Sequence, residues 1–298
     1  KFIFLTSQAY LIYAHLNQFR ILLPSLFKMK YTKSDIIKAL RESGINKGDT
    51  VFFTTSLGML GVPAIKKKKS MNEICSFILS CIKEVLNTNG TIFVPTYSYS
   101  FGKKIKKTLP LFDPIKTNSE IGPFPNFFRK QKGVIRSIDP MISIAGLGPK
   151  SKEILDNIPF TSYGKGCVFE RILNIKNAKC CSIGLGPNWI PFIHYVDWKN
   201  KAPFRYDKFF KGFVVQNKIK KKIKWHYPVR VLRKESITNG HKIGEMAYKK
   251  GIYKSSKLGR SAIYTANYKK YFNFVIKLTK FDPWLTVNGP KFNIKKSD

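Results

Sequence analysis

His194 and Asp197 are the two side chains best placed to move a proton: an imidazole and a carboxylate at i, i+3, directly after the glycine-bounded turn Gly184-Leu185-Gly186. If residues 191 to 198 are helical, the two share one face. A histidine whose second ring nitrogen is fixed by a carboxylate is a prepared general base, able to take a proton from an amine or hydroxyl near neutral pH. Hydroxyls collect elsewhere. Thr55 and Ser56 end one apolar run and Thr96 and Tyr97 end another, and hydroxyls with backbone N–H groups at a strand end suit a phosphate or a carbonyl oxygen. Plain turn chemistry is the competing account of Thr55 and Ser56. Arg136 and Asp139 are spaced to pair with each other or with a substrate. Cys167 is a candidate nucleophile only if it sits at a helix N-terminus, where thiolates are stabilised; packing is the simpler role for it.

These groups need elements to position them. Thr32-Lys33-Ser34-Asp35 reads as an N-cap with an acid three residues on, and Gly44 stops the helix it starts. Residues 50 to 55 are β-branched and aromatic almost without break, as in a strand covered on both faces. Ser70 and Glu73 form a capping box ahead of the stripe Ile74, Phe77, Ile78, Cys81, Ile82 and Val85. Residues 91 to 95 form the next strand, so strand, helix, strand predicts a parallel pair. Lys179 to Gly184 is another short strand, and its turn falls at the carboxyl end, where open α/β sheets place ligands. From Phe209 onward the runs around Val214 and Trp225, broken at 217 to 222, predict an antiparallel hairpin, and residues 239 to 251 and 267 to 280 look helical. The fold expected is a three-layer α/β/α sandwich with a mixed, mostly parallel sheet and an appended C-terminal α+β portion. Its parts are an N-terminal extension over 1–28, a core over about 29–208, and an appended hairpin and helices over 209–298 that close over the cleft.

Several stretches taken in order resemble the aminoglycoside 3-N-acetyltransferase family. Val51 to Leu57 stands where that family has an apolar strand running into His-Ser-Ser-Leu, and Val94-Pro95-Thr96 where it has a second strand ending in Pro-Thr. Phe112-Asp113-Pro114 with Thr117, Arg136 to Pro140 with Ser143 and Gly146, and Gly164 to Glu170 follow in the family's order, and the likeness covers roughly residues 29 to 210. It departs at three places. The family's pattern has His at Thr54, His-Pro at Asp139-Pro140, and Thr-x-x-His-x-x-Glu where this chain has Pro191, His194 and Asp197. The resemblance implies an acetyl-CoA-dependent N-acetyltransferase acting on an amine of an amino sugar, with no metal. On that reading His194 and Asp197 are catalytic; Thr55, Ser56, Thr96, Thr117 and Ser143 hold coenzyme A or the oxyanion; and Tyr97, Arg136 and Asp139 meet the substrate. A nucleotide-sugar or surface-glycan acceptor, or an inactive anion-binding relative, are the alternatives.

Composition bounds the partners. With 54 Lys+Arg against 17 Asp+Glu the formal charge is +37, which favours anionic partners and repels cationic ones. Lysine far outnumbers arginine, so drift toward AT-rich codons competes with a selected basic surface; nucleic-acid readers lean on arginine, and no specific nucleic acid is expected. Five cysteines lack metal-ligand spacing and suit a reducing cytoplasm. Polar residues interrupt 2 to 27, so no span of about 20 apolar residues crosses a membrane, although an amphipathic helix there would suit packing or a membrane surface. Self-association into a homo-oligomer stays open.

Overall fold

The computed structural model describes residues 30–65, 70–103 and 108–294; the N-terminal extension and the basic runs at 66–69 and 104–107 lie outside them. Both predicted capping boxes form. Thr32 Oγ1 accepts from the Asp35 N–H at 3.2 Å while the Asp35 carboxylate accepts from the Thr32 N–H at 2.8 Å, opening the helix Lys33–Glu42. Ser70 and Glu73 do the same for the helix Met71–Leu86, whose face from Cys75 to Leu86 is buried.

The strands are β1 (Lys30–Tyr31), β2 (Thr50–Thr55), β3 (Val62–Pro63), β4 (Thr91–Pro95), β5 (Leu111–Phe112), β6 (Ile135–Arg136), β7 (Ile144–Leu147), β8 (Lys179–Ile183), β9 (Arg205–Gln216), β10 (Ile219–Arg230), β11 (Lys254–Leu258) and β12 (Ser261–Asn267). Seven of them form one mixed sheet in the order β11-β12-β8-β2-β4-β7-β6. β2 pairs parallel with β4, as the strand-helix-strand order requires, and parallel with β8. The other pairings are antiparallel. Parallel pairing in this sheet is therefore confined to the central trio, less than the sequence suggested: β6-β7 and β11-β12 are neighbours in sequence, and the longer excursions from β4 to β7 and from β8 to β12 also return antiparallel.

Alternate residues of the central strands feed opposite faces. Val51 and Phe53 of β2, Ile92 and Val94 of β4, and Cys181 and Ile183 of β8 pack with the helices Lys33–Glu42 and Met71–Leu86. Phe52, Phe93 and Cys180 instead pack with Phe169, Tyr195 and Tyr268 from helices on the other side. A sheet buried on both faces between helices gives the expected α/β/α layering.

The C-terminal α+β portion is woven into this sheet: β12 pairs with β8, and the helix Tyr268–Phe281 buries Tyr268, Tyr271, Phe272 and Val275. β9 and β10 form the predicted hairpin, longer than expected because only Asn217 and Lys218 turn, both at positive φ of 51° and 64°, as a two-residue hairpin turn requires. β9 also pairs parallel with β5.

Candidate active site

The ends of β2 and β8 are locked together. The Ser56 N–H donates to the Ile183 carbonyl at 2.8 Å, and Gly184 sits at φ +82° with a would-be Cβ 2.5 Å from the Ser56 carbonyl oxygen. Only glycine fits that turn. The chain then enters the helix Ile193–Lys199 through Phe192, which is gripped edge-on by Tyr268, Tyr271 and Phe272 at 5.0, 5.2 and 5.4 Å between ring centres. With Tyr195 and Val196 also buried, the helix cannot roll, and His194 emerges with 25% of its side chain exposed while Asp197 beneath it is at 1%.

The histidine and the carboxylate come together on one helix face, but Arg205 is bonded to both. His194 Nδ1 lies 3.6 Å from Asp197 Oδ2, and Arg205 stands between them. Its Nε donates to Asp197 Oδ2 at 2.8 Å, one terminal nitrogen donates to His194 Nδ1 at 2.5 Å, and the other donates to the Pro228 carbonyl at 3.1 Å. Arg205 opens β9 and is 5% exposed. Sequence reasoning missed it, since nothing in its spacing marks one residue among 54 basic ones. Burial, then the Arg205 charge, holds the His194 imidazole below its ordinary value despite Asp197, so the ring is neutral at neutral pH. For Asp197 burial opposes ionisation, but Arg205 and His194 outweigh it and the carboxyl stays below its usual range.

Thr96, Ser143, Thr117 and Arg136 come together, but as a buried structural knot. The Arg136 Nε donates to Thr96 Oγ1 at 3.1 Å and to Ser143 Oγ at 3.0 Å, and its terminal nitrogens donate to the carbonyls of Thr96 and Thr117 at 2.6 and 2.5 Å. The guanidinium also lies 5.0 Å from the Phe112 ring centre. Thr96 and Ser143 have no exposed surface, and Thr117 Oγ1 accepts from the Asp113 N–H. Burial draws Arg136 down to about 9, which leaves it charged at neutral pH. Thr96, Thr117 and Ser143, expected on coenzyme A, and Arg136, expected on substrate, are here engaged with one another and tie the 111–117 segment to β4 and β7.

Asp139 likewise turns inward. Its Oδ1 accepts from the N–H groups of Met141 and Ile142 at 2.8 and 2.9 Å, closing the turn into β7. Burial pushes this carboxyl up to about 6, and at 4% exposure it serves the turn in this structure, away from the surface expected of a substrate contact. Tyr97 is 8% exposed and packs edge-on against Tyr99 at 6.2 Å, also in the core. Thr55 and Ser56 keep partial exposure at the β2 end and stay available. Cys167 is buried at the N-cap of the helix Val168–Leu173, and burial pushes its thiol up, so it packs and does not attack.

An open pocket of about 560 Å³ lies against the Arg205–Asp197 pair, with Lys199, Lys201, Tyr206 and Asp207 around it. Among the described residues no group of three or more His, Cys, Asp or Glu could hold a metal ion, and no helix is long and apolar enough to cross a membrane.

Solved structures share the fold at low identity. Aminoglycoside acetyltransferase AAC(3)-Xa is 18% identical at a TM-score of 0.71, over 84% of this chain and 93% of that one. AAC-IIIb in its binary complex with CoASH is 16% identical at 0.71, over 88% and 99%. The YokD protein of Bacillus subtilis is 16% identical at 0.69, over 86% and 96%. No curated protein matches the chain. A model of the aminoglycoside 3-N-acetyltransferase family matches residues 64–280, a span that contains β4 to β12, the Arg136 knot and the whole His194–Arg205–Asp197 group, and the chain belongs to that family.

Proposed function

We propose that the protein transfers the acetyl group of acetyl-CoA to the amine of an amino sugar at His194. The amine nitrogen bonds to the thioester carbonyl carbon, the carbon–sulfur bond breaks, and the proton lost by nitrogen ends on the coenzyme A thiol. The observation that carries this reading is a partly exposed imidazole on the helix that follows the turn after β8, held by the buried Arg205–Asp197 ion pair. A group that exchanges hydrogen bonds with reacting atoms must be fixed before they arrive. Thr55 and Ser56 at the adjoining strand end are the groups left to meet coenzyme A. The pocket against Asp197 and Arg205 is the proposed acceptor seat, within the usual 300 to 1,000 Å³ range for small-molecule sites. Asp207 at its wall is paired with His226 at 2.7 Å, and Asp197 with Arg205, whereas Lys199 and Lys201 are exposed. That balance favours an acceptor bearing a phosphate or carboxylate over a polycationic aminoglycoside.

Calorimetry with coenzyme A at low salt, followed by acceptor-dependent release of free thiol, tests the reading. Binding together with thiol release in the presence of an amino sugar supports it. Absence of binding at millimolar coenzyme A removes the transferase, and binding without release from any amine identifies an inactive relative.

A further inference from the structure

We propose that Arg205 is a positioning residue that fixes the tautomer of His194, so that the ring presents Nε2–H to the substrate and donates a hydrogen bond to the thioester carbonyl oxygen. The proposal deepens the acetyltransferase reading and rests on it for the identity of that oxygen, but the tautomer itself can be read without turnover.

The argument starts from what each group can offer. A guanidinium has five N–H donors and no acceptor, so the His194 Nδ1 facing Arg205 at 2.5 Å must present its lone pair. A neutral imidazole then carries its one proton on Nε2. A direct dyad with Asp197 would require the reverse, Nδ1–H toward the carboxylate and a lone pair on Nε2. The carboxylate oxygen nearest the ring is 3.6 Å away, beyond hydrogen-bond reach, and already accepts from the Arg205 Nε at 2.8 Å. Arg205 has little freedom to withdraw: it is 5% exposed, bonded at once to Asp197, His194 and the Pro228 carbonyl.

The chemical consequence is a change of role. A ring with its lone pair on Nε2 removes a proton from the attacking amine; a ring with Nε2–H instead stabilises negative charge growing on the thioester oxygen as the tetrahedral intermediate forms. No described residue is hydrogen-bonded to Nε2, which leaves that donor free for a ligand. A neutral imidazole used as an electrophile is a known arrangement when nearby positive potential prevents its protonation. The charged groups acting on this ring are Asp197 on its own helix, Arg205 at the start of β9 and Arg230 at the end of β10. The two arginines face each other across the hairpin register.

Nitrogen-15 NMR of the full chain with labelled histidine tests this, the His194 signals being identified by their loss in His194→Gln. The expected wild-type spectrum has the proton on Nε2 and an unprotonated Nδ1. In Arg205→Met the Asp197 carboxylate is released to accept from Nδ1–H, so the two nitrogens exchange character and the ring's titration midpoint moves to higher pH. Arg205→Lys, whose single ammonium cannot bridge ring and carboxylate together, is the second variant should the methionine form not fold, and it is expected to give a mixture of tautomers. A wild-type ring protonated on Nδ1, or an Arg205 variant whose tautomer is unchanged, overturns the proposal. Where thiol release is measurable, His194→Gln, which keeps a donor but no base, is expected to retain at least tenfold more turnover than His194→Ala; equal loss in the two overturns the donor role. Failure of the transferase reading would show as no thiol release with the Nε2–H tautomer still present, so the two failures are distinct.

Discussion

Truncating His194 to alanine is expected to lower kcat by about 10²-fold or more, the usual worth of one positioned hydrogen-bonding or proton-handling group, while coenzyme A affinity changes little. Steady-state kinetics beside calorimetry checks both halves, and unchanged turnover across pH 6 to 9 would remove His194 from the mechanism. Burial and Arg205 hold the ring below its ordinary value of 6.5. Protonation would keep the Nε2–H donor but set a second N–H against Arg205, so turnover should persist below that pH and fall only where the ring's contact with Arg205 is lost. Asp139 gives the opposite kind of prediction. Its folded value of about 6 lies above the ordinary 3.8, so the folded state holds the proton more tightly. The stability this contributes is fully present below about pH 4 and is lost as pH rises through about 6. Asp139→Asn keeps the oxygen that accepts from Met141 and Ile142. It should leave turnover unchanged and exceed the parent's stability above pH 6 by up to roughly 3 kcal/mol, a gain that vanishes below pH 4. Denaturant unfolding of both proteins at pH 4 and 7.5 decides it, and a collapse of turnover in Asp139→Asn would return that residue to the site.

The turn after β8 is the element on which the site hangs. Gly184 and Gly186 both have positive φ, at +82° and +75°, but a Cβ on Gly184 would meet the Ser56 carbonyl at 2.5 Å whereas one on Gly186 would meet nothing within 4 Å. Gly186→Ala is thus expected to cost only the left-handed backbone penalty of about 1 kcal/mol. Gly184→Ala must also push β2 and β8 apart, and should cost at least twice as much and lower turnover, because His194 follows the turn. Thermal unfolding of the two variants checks the difference; equal losses would show that the strand ends can separate freely. The knot around Arg136 belongs to this scale as well. A buried arginine bonded to carbonyls and hydroxyls, with no carboxylate among them, organises the loop between β5 and β7.

Across the whole molecule the charge of +37 sets the choice among acceptors. At low salt the field extends about 10 Å or more, and at 1 M only about 3 Å. The kcat/KM of an anionic amino-sugar nucleotide should exceed that of a polycationic aminoglycoside at low salt, and the ratio should shrink as salt rises. Parallel assays over 20 mM to 1 M salt test this. A low-salt preference for the aminoglycoside would mean that the pocket's acids outweigh the overall charge, contrary to the pairing of Asp197 and Asp207.

Local signals made much of this protein legible from sequence. Capping boxes at Thr32 and Ser70, the i, i+3, i+4 stripe of the helix Met71–Leu86, the β-branched and aromatic runs of β2 and β4, and the short buried run of β8 depend on neighbours in the chain, and they formed where expected. The ordered motifs also identified the family. What the sequence could not contain was which polar groups end up sharing one space. Arg205 reaches His194 and Asp197 because β9 begins beside their helix, and Arg136 meets Thr96 across 40 residues because β7 lies against β4. A hydrogen bond requires separations of about 3 Å, and for residues on different elements only the packing of the sheet and its helices fixes distances that closely. Residue types thus determined what chemistry was available, and the tertiary structure decided that Arg136, Thr96 and Ser143 would be spent on the scaffold while His194 was left facing out.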